Sequence, residues 1–577
     1  MSPENQKEKL LKKIKANKLE IIFIIAVISL GIFLRTFHFS SWLHFEIDQA
    51  FDFDLVLPAV SDGPQNLPLL GPNVGGGLLR LGPAFYYLQY ASALVFGNTP
   101  TGHAMNVLIL SILALPLFYV FCRKYFSKIE ALGLLTIFTT SLYCVLYARF
   151  SWSPNVLPFL ILFSFFALLQ AFAAKEKHPA RWFLLSVAAI TVTSQIHFNS
   201  FFVAPLIAVT FTAIKRPRFA WKVWLAALGI VAVLYLPVVL NDVKNSKENY
   251  HYLKEKFAKT KPGDIFAANT IFQTVQYSAY EYFFINTAND QINGTKLTGN
   301  GFDCKNCQEN LGLKILAIVL FLLSLVVLMV KFLKEKNSDR KNFLLLAALW
   351  FLFSFYLIYS IADGYRMYPR FFLMICPLAI IFYGFLLQLL RPEQNKKRLA
   401  IFCAAILVLA GLNLQRIIPV FQQLQSAPVS QNDDIETGDI FPNTNRLTLG
   451  QQVAIVDYIQ SKAKTNNYPV YLSAKSEYEP AFWALLEQRN IHYYSEINTK
   501  QLYVQGNYFD IRLAGASDKV DSKFAALESK NFGTLTVYFM QPLPQAATAQ
   551  RQADSQREKT EEISIVSKLL TWEKLFK

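Results

Sequence analysis

Charged residues are scarce in this chain, at 17% of its 577 residues. Soluble globular proteins carry about 25% charged residues, so this scarcity argues against a soluble protein. Apolar residues make up 53% of the chain and Phe accounts for 50 positions, a composition typical of helices that face lipid. The sequence therefore predicts a polytopic α-helical membrane protein.

A nucleic-acid recognition motif and a basic stripe are also missing, although the formal net charge is +16. The excess Lys and Arg residues sit mostly in short segments between apolar runs. That placement is the pattern of the positively charged cytoplasmic loops of membrane proteins. These observations exclude a nucleic-acid partner.

The N-terminus lacks the features of a cleavable signal peptide. Residues 1–18 are basic, and the apolar run from Leu19 to Leu34 is longer than a signal-peptide core. No small-residue cleavage site follows that run. We interpret it as a retained first span preceded by a cytoplasmic tail, residues 1–18.

Apolar runs of about 20 residues are long enough to cross a bilayer. About eleven such runs occur, at 19–36, 102–121, 129–148, 155–174, 182–198, 200–215, 220–241, 312–332, 342–361, 371–390 and 399–418. The run 84–97 is shorter, rich in aromatics and bounded by Pro83 and Gly97. We predict an interfacial or re-entrant helix there rather than a full crossing.

The loops between these spans predict the orientation of the chain. If the N-terminus is cytoplasmic, the basic loops share the cytoplasmic side, at 123–124, 175–181, 215–218, 334–341 and 391–398. This agreement is the expected signature of a multi-pass protein of the plasma (inner) membrane. The opposite face receives the loops 37–101, 149–154, 242–311 and 362–370, and everything after 419.

The composition changes after residue 419 towards alternating helix-like and strand-like patterns. Helices are predicted at 449–462 and 479–488, and strands at 469–472 and 533–539. We therefore predict a transmembrane domain at 19–420, with outer loops 37–101 and 242–311, and an extracytoplasmic α/β domain at 421–545. Residues 546–577 are predicted to form a flexible or amphipathic tail.

The first outer loop carries four carboxylates within nine residues, at Glu46, Asp48, Asp52 and Asp54. In a helix, Asp48 and Asp52 share a face while Asp54 turns away. The acids alternate with aromatic and aliphatic residues, which favours an amphipathic helix. Its carboxylates face either bulk water or a functional pocket.

A second cluster follows in the same loop, where three consecutive Gly residues at 75–77 precede Arg80 and Pro83. Three Gly residues allow close backbone approach, and Pro83 marks a helix start. A cation beside helix N-terminal amides is a candidate phosphate site. The simpler alternative is a Gly-rich loop with an arginine that snorkels to the interface.

These motifs resemble those of the GT-C glycosyltransferases, in particular the protein O-mannosyltransferase and aminoarabinose transferase group. The resemblance covers roughly residues 19–420 and is carried, in order, by Asp48-Gln49, Arg80 to Pro83, Ser153-Pro154, His197, and Tyr368-Pro369-Arg370-Phe371. The family has a second acid where Gln49 stands. His197 replaces a Lys found in some relatives, so its charge depends on pH.

The resemblance implies an inverting transfer of a hexosyl or pentosyl group from a polyprenyl-phosphate donor. Asp48 is the expected general base, with Glu46, Gln49 and Asp52 as acceptor-orienting or auxiliary groups. The expected ligands of the donor phosphate are Arg80, His197, Arg366 and Arg370. The acceptor is a protein, lipid or glycan hydroxyl on the extracytoplasmic face, and membrane lipids are further partners.

Neither an organic cofactor nor a metal is expected. The acids near the site are few and no His cluster has ligand spacing, which favours a metal-independent reaction, with a divalent metal as the alternative. Cys304 and Cys307 predict a local disulfide rather than zinc. The remaining cysteines are interpreted as apolar space-fillers, at Cys122, Cys144, Cys376 and Cys403.

Other functions remain open at this point. One is a transporter or flippase of a lipid or sugar, although internal repeats and charges within the spans are lacking. Another is a non-catalytic envelope-assembly protein that binds through its outer domain. A third is a transferase with a larger lipid-linked donor. Single residues also have simpler interpretations: Arg370 as an interfacial anchor, Arg366 as a partner of Asp363, and His197 as a satisfied polar residue.

Overall fold

The structure is a computed structural model of the chain. It describes residues 18–74, 78–259, 268–289, 296–298, 301–303, 310–362, 369–428, 447–466, 468–475, 478–494, 497, 501–514, 520–548 and 569–576. Cys304, Cys307 and Arg366 lie outside these residues, as do Gly75 to Gly77.

The first half of the chain is helical. Its helices are α1 (Lys18–Thr36), α2 (Ile47–Asp62), α3 (Ala84–Phe96), α4 (Pro100–Tyr125), α5 (Lys128–Thr140), α6 (Leu142–Tyr147), α7 (Leu157–Ala171), α8 (Pro179–Ser194), α9 (Phe198–Lys215), α10 (Trp221–Lys244), α11 (Glu248–Lys259) and α12 (Ala268–Thr287). A short hairpin of β1 (Lys296–Thr298) and β2 (Gly301–Asp303) follows.

Four further helices complete the membrane part. They are α13 (Leu311–Lys334), α14 (Ser338–Ala362), α15 (Cys376–Leu387) and α16 (Lys396–Ser426). Among the described residues, eight helices are long and apolar enough to cross a membrane: α1, α4, α7 with the 3-10 turn before it, α9, α10, α13, α14 and α16. The prediction of a multi-pass helical membrane protein is confirmed. The other three predicted spans coincide with α5–α6, α8 and α15, which are shorter.

Side-chain caps explain where several of these helices begin. Thr99 accepts a hydrogen bond from the backbone N–H of Gly102 at 3.0 Å, and Pro100 occupies the first position of α4. Ser127 and Glu130 form a capping box at α5. Such caps satisfy backbone N–H groups that have no partner within the helix. These loop sequences therefore contain their own helix start signals.

Helix α12 was missed by the sequence analysis, which described residues 242–311 only as an outer loop. It packs against α13, α14, α15 and α16, and residues 279–288 of this segment are almost all buried. The helix mixes aromatic residues with Asn, Thr, Gln and Glu, so its hydropathy is too low to indicate a span. A polar side chain of α12 is accommodated because a neighbouring helix supplies a partner: the Asn286 side-chain amide donates to the carbonyl of Ala379 in α15 at 3.3 Å.

The C-terminal part contains α17 (Leu449–Ala463), β3 (Val470–Ser473), α18 (Glu479–Gln488), β4 (Tyr493–Tyr494), β5 (Leu502–Tyr503), β6 (Asn507–Leu513), β7 (Phe524–Phe532), β8 (Leu535–Pro542) and β9 (Ala547–Thr548). A mixed five-stranded sheet has the order β4-β3-β6-β8-β7, and β5 pairs with β9. The predicted C-terminal α/β domain is confirmed. Both of its predicted helices and both predicted strands are present, whereas β4, β5, β6, β7 and β9 were not predicted.

This domain packs directly on the first outer loop. The Gln452 side-chain amide donates to the carbonyl of Phe45 at 2.8 Å, and the backbone N–H of Leu449 donates to the carbonyl of Leu43 at 3.0 Å. Helix α18 also lies against α2. The acidic helix α2 is therefore held between the membrane helices and the α/β domain.

The tail was predicted to be flexible or to lie on the membrane, but its described residues are docked on protein. The bridge between Pro68 and Thr571 ties the chain end to the first outer loop. The short helix α19 (Trp572–Phe576) follows, and the Trp572 indole donates to the Tyr87 hydroxyl at 2.9 Å. Main-chain pairing with a distant loop left no signal in the local pattern of the tail.

Candidate active site

Helix α2 presents the acidic residues of the first outer loop. Glu46 stands at its N-cap, and the Glu46 backbone N–H donates to the side-chain oxygen of Gln49 at 3.1 Å. Gln49 is buried, so its side-chain oxygen is used in the helix cap. The Nδ1 atom of His44 lies 3.5 Å from the Glu46 carboxylate. Glu46 and Gln49 thus fix the start of the helix that carries Asp48.

Asp48 lies where several distant segments converge. The Trp152 indole N–H donates a hydrogen bond to its carboxylate, and the charges of Arg370 and His44 act on it. Burial raises the pKa of Asp48, while Arg370, His44 and the Trp152 hydrogen bond lower it. The residue nevertheless keeps exposed surface. Asp48 therefore combines a partly desolvated carboxylate with access to solvent.

Arg370 belongs to the 3-10 turn Pro369–Phe372. Its guanidinium carbon lies 5.0 Å from the centroid of the Trp152 ring, within the range of a cation–π contact. The Tyr143 hydroxyl donates to the carbonyl of Pro369 at 2.5 Å and holds this turn against α6. Trp152 therefore contacts both Asp48 and Arg370, two residues 322 positions apart in the chain.

His197 lies on the far side of Arg370, at the N-cap of α9. Its ring centroid is 6.1 Å from that of Phe371, and its Nδ1 atom accepts from the backbone N–H of Asn199 at 3.3 Å. Burial and the charge of Arg370 lower the pKa of His197, so the imidazole is neutral at physiological pH. His197 is therefore a neutral neighbour of Arg370 rather than an additional cation.

Asp52 is one turn after Asp48 on the same face of α2, as the sequence predicted. The Tyr86 hydroxyl donates to its Oδ1 atom at 3.0 Å. Burial and the charge of Asp48 raise the pKa of Asp52 to about 8, against the hydrogen bond from Tyr86 and the charge of Arg80. Asp52 is therefore mostly protonated at neutral pH, and Asp48 is the carboxylate that ionises.

Arg80 completes the cluster from the second part of the outer loop. Its guanidinium donates to Tyr86 and, at 3.1 Å, to the carbonyl of Gly71. Its backbone N–H and carbonyl both pair with the side chain of Asn249, at 2.9 and 3.0 Å. Arg80 is thereby held beside Asp52, so a continuous set of contacts runs from Arg80 to Arg370.

Asp54 faces away from this cluster, as its position on the helix predicted. It points to α18 of the α/β domain, where burial and the charge of Glu487 raise its pKa well above the usual range. Its Oδ1 atom is buried and has no hydrogen-bond partner among the described residues. Asp54 is therefore part of the interface between the domains.

The sequence analysis did not assign site roles to Trp152, Tyr86 or His44. Trp152 directly precedes the Ser153-Pro154 motif, which was the available signal. Tyr86 lies three residues after Pro83, within the aromatic helix start. In the part of the chain that the structure describes, no three His, Cys, Asp or Glu side chains form a group suited to hold a metal ion.

The fold was compared with known proteins. A crystal structure of ArnT from Cupriavidus metallidurans in the apo state superposes with a TM-score of 0.54, over 93% of this chain and 100% of that chain, at 11% sequence identity. The chain has the fold of ArnT. A second structure, of ArnT from the same organism bound to undecaprenyl phosphate, gives a TM-score of 0.53 at 12% identity and the same coverage.

The sequence itself is distant from known proteins, since no protein-family model and no curated protein sequence matches it. The fold that the resemblance implied from short motifs is confirmed, since the chain superposes on both ArnT structures. Because ArnT is matched over its whole length, both the membrane helices and the C-terminal domain are included in the likeness.

Proposed function

We propose that this protein is a membrane glycosyltransferase that uses a polyprenyl-phosphate sugar and transfers the sugar to an acceptor hydroxyl outside the cytoplasm. The ArnT fold supports this proposal, and one of the matched ArnT structures is bound to undecaprenyl phosphate. The observation that carries it is the contact of Trp152 with both Asp48 and Arg370. That contact brings a carboxylate and a cation together beside one indole ring.

Asp48 acts as the general base. The acceptor hydroxyl gives its proton to the Asp48 carboxylate as its oxygen attacks the anomeric carbon. The bond from that carbon to the phosphate oxygen breaks, the configuration inverts, and polyprenyl phosphate leaves with an additional negative charge. The charge of Arg370 favours the ionised form of Asp48 and opposes the effect of burial on its pKa.

The leaving phosphate is stabilised by cations that lie on either side of Asp48. Arg370 and Arg80 are held in place by their own contacts, so little reorganisation is needed as charge develops. Arg366, in the segment before Pro369, is proposed as a further phosphate ligand, and neutral His197 as a hydrogen-bond donor or acceptor. Protonated Asp52 orients the acceptor or a sugar hydroxyl, since it does not compete with Asp48 as a base.

The membrane restricts where this reaction takes place. The isoprenoid tail of the donor stays in the bilayer, so its sugar-phosphate head reaches only the interface. The distribution of basic loops supports a cytoplasmic N-terminus, with the first outer loop and the α/β domain on the other side of the plasma membrane. The α/β domain packs on α2, so we propose that it borders the entrance for the acceptor.

The proposal is tested by incubating the purified protein with a panel of polyprenyl-phosphate sugars and measuring release of polyprenyl phosphate. Asp48→Asn should lower the rate by about 100-fold or more, the usual contribution of a general base. Asp62→Asn is the matched control, because Asp62 is exposed at the end of the same helix, and it should leave the rate unchanged.

Release from no donor by folded protein would contradict the transferase proposal. A flippase or a non-catalytic assembly protein would then explain the fold better. Release that Asp48→Asn leaves unchanged would instead refute the assignment of the base.

A further inference from the structure

Two cysteines that the proposed reaction does not use meet inside the membrane part. Cys144 belongs to α6 and Cys376 is the first residue of α15, 232 positions later. Their sulfur atoms are 3.1 Å apart, and both residues are buried. The sequence analysis interpreted them as independent space-fillers, so this juxtaposition is a result of the tertiary fold.

The surrounding contacts hold α6 both to the segment that leads into α15 and to α12. The Tyr143 hydroxyl donates to the carbonyl of Pro369 at 2.5 Å, and the Ser141 hydroxyl donates to that of Ile285 at 2.7 Å. A disulfide has a sulfur–sulfur bond of about 2.05 Å. The two sulfur atoms therefore need to approach by only about 1 Å, while the helices that carry them keep their packing.

A positive charge lies beside the pair. Arg35 is fully buried, and its charge acts on both sulfur atoms. Its Nε and Nη1 atoms donate to Ser111, Gly31 and Thr139, whereas Nη2 has no hydrogen-bond partner among the described residues. The thiolate is the form of cysteine that exchanges with disulfides, and Arg35 places a positive charge beside the pair.

We propose that Cys144 and Cys376 form an intramolecular disulfide as the protein folds. One thiolate attacks a sulfur of an oxidant disulfide, releases one thiol of that oxidant and forms a mixed disulfide. The second cysteine thiolate then displaces the other oxidant thiol and closes the Cys144–Cys376 bond. Two cysteine protons and two electrons are transferred in total, so the oxidant disulfide is reduced to two thiols.

The inference rests on the orientation given in the proposed function. Both cysteines lie near those ends of their predicted spans that face the extracytoplasmic side, where disulfides form and persist. The bond links α6 to the segment that begins just after the Arg370 turn. It therefore ties together the two parts of the chain from which Trp152 and Arg370 approach each other.

The test counts free thiols in the full-length protein. In a background of Cys122→Ala, Cys304→Ser, Cys307→Ser and Cys403→Ala, only the two cysteines remain. The membrane-embedded protein is denatured in detergent with maleimide-polyethylene glycol, with and without prior reduction. The expected result is no adduct before reduction and two adducts after it, both on monomeric protein.

A matched variant identifies the partner of each cysteine. Adding Cys144→Ala to the same background should release Cys376, which then takes one adduct without reduction. Two adducts on most of the unreduced background chains, or a disulfide-linked dimer, would overturn the proposal.

Failure of the disulfide is distinguishable from failure of the proposed function. The thiol count needs no turnover, and the release assay needs no knowledge of the thiols. A membrane-impermeant amine reagent applied to sealed cells reports the side of the lysine-rich N-terminal tail. Free thiols in a chain with a cytoplasmic tail refute the disulfide and leave the transferase proposal standing.

Discussion

Asp52 offers a quantitative test of the electrostatics of this site. Its pKa rises from an ordinary 3.8 to about 8 in the folded protein, mainly because the carboxyl is buried. At pH values between these two pKa values, Asp52 carries a proton in the folded state but has lost it in the unfolded state. The contribution of the protonated carboxyl to the free energy of unfolding has its full value below about pH 4. It declines as the pH rises towards about 8.

The magnitude follows from the difference in pKa. Each unit corresponds to 1.36 kcal/mol, so retaining the proton on Asp52 at pH 7 costs up to about 4 kcal/mol of unfolding free energy. Asp52→Asn removes this cost because an amide does not titrate. The amide oxygen still accepts the hydrogen bond that Tyr86 donates to Oδ1 at 3.0 Å. We therefore expect the variant to be more stable than the wild type at neutral pH.

The assay is thermal unfolding of the detergent-solubilised protein at a series of pH values. Wild-type protein should lose stability relative to Asp52→Asn as the pH rises from about 4 to about 8, and the two should be similar at the acidic end. Asp62→Asn, on the exposed end of the same helix, should follow the wild type throughout. An Asp52→Asn variant that melts below the wild type at neutral pH would refute the proposed protonation of Asp52.

The other predictions concern the residues around Asp48 and the docked tail. Arg370→Ala should lower the rate of polyprenyl phosphate release by about 100-fold, as expected for loss of a preorganised charge. The control Arg391→Ala, in a predicted cytoplasmic loop, should leave the rate unchanged. Trp152→Phe removes the hydrogen bond that lowers the pKa of Asp48, so the acidic limb of the pH–rate profile should move to higher pH. An acidic limb that stays in place would contradict the contact between Trp152 and Asp48. Trp572→Phe removes the indole hydrogen bond to the first outer loop and should lower the free energy of unfolding by about 1 kcal/mol. The measurement is a lower melting temperature. An unchanged melting temperature would show that this bond does not hold the tail.

Much of the membrane architecture was predictable because its signals are local. Apolar runs, basic loops and helix caps such as Thr99 and Ser127 are properties of short segments. The two helices of the α/β domain were predictable for the same reason. Helix α12 was not, since its aromatic residues are mixed with polar ones such as Asn286, whose side chain finds a partner on the distant helix α15.

Strand β7 shows the same limit in the α/β domain. It is mostly exposed at one edge of the sheet, and its sequence is rich in charged and polar residues. Its register is determined by pairing with β8 rather than by an apolar pattern of its own. The docked tail is a similar case, because its hydrogen bonds run to the first outer loop.

The sequence by itself determined that this is a multi-pass helical membrane protein, and that Asp48 and Asp52 share one helix face while Asp54 does not. Both follow from periodicity and from the cost of exposing polar groups to lipid, which act within a single segment. Only the tertiary structure decided that Trp152 joins Asp48 to Arg370, that Asp52 keeps its proton, and that Cys144 meets Cys376. These properties depend on desolvation and on charges from segments far apart in the chain, and neither exists until the chain has packed.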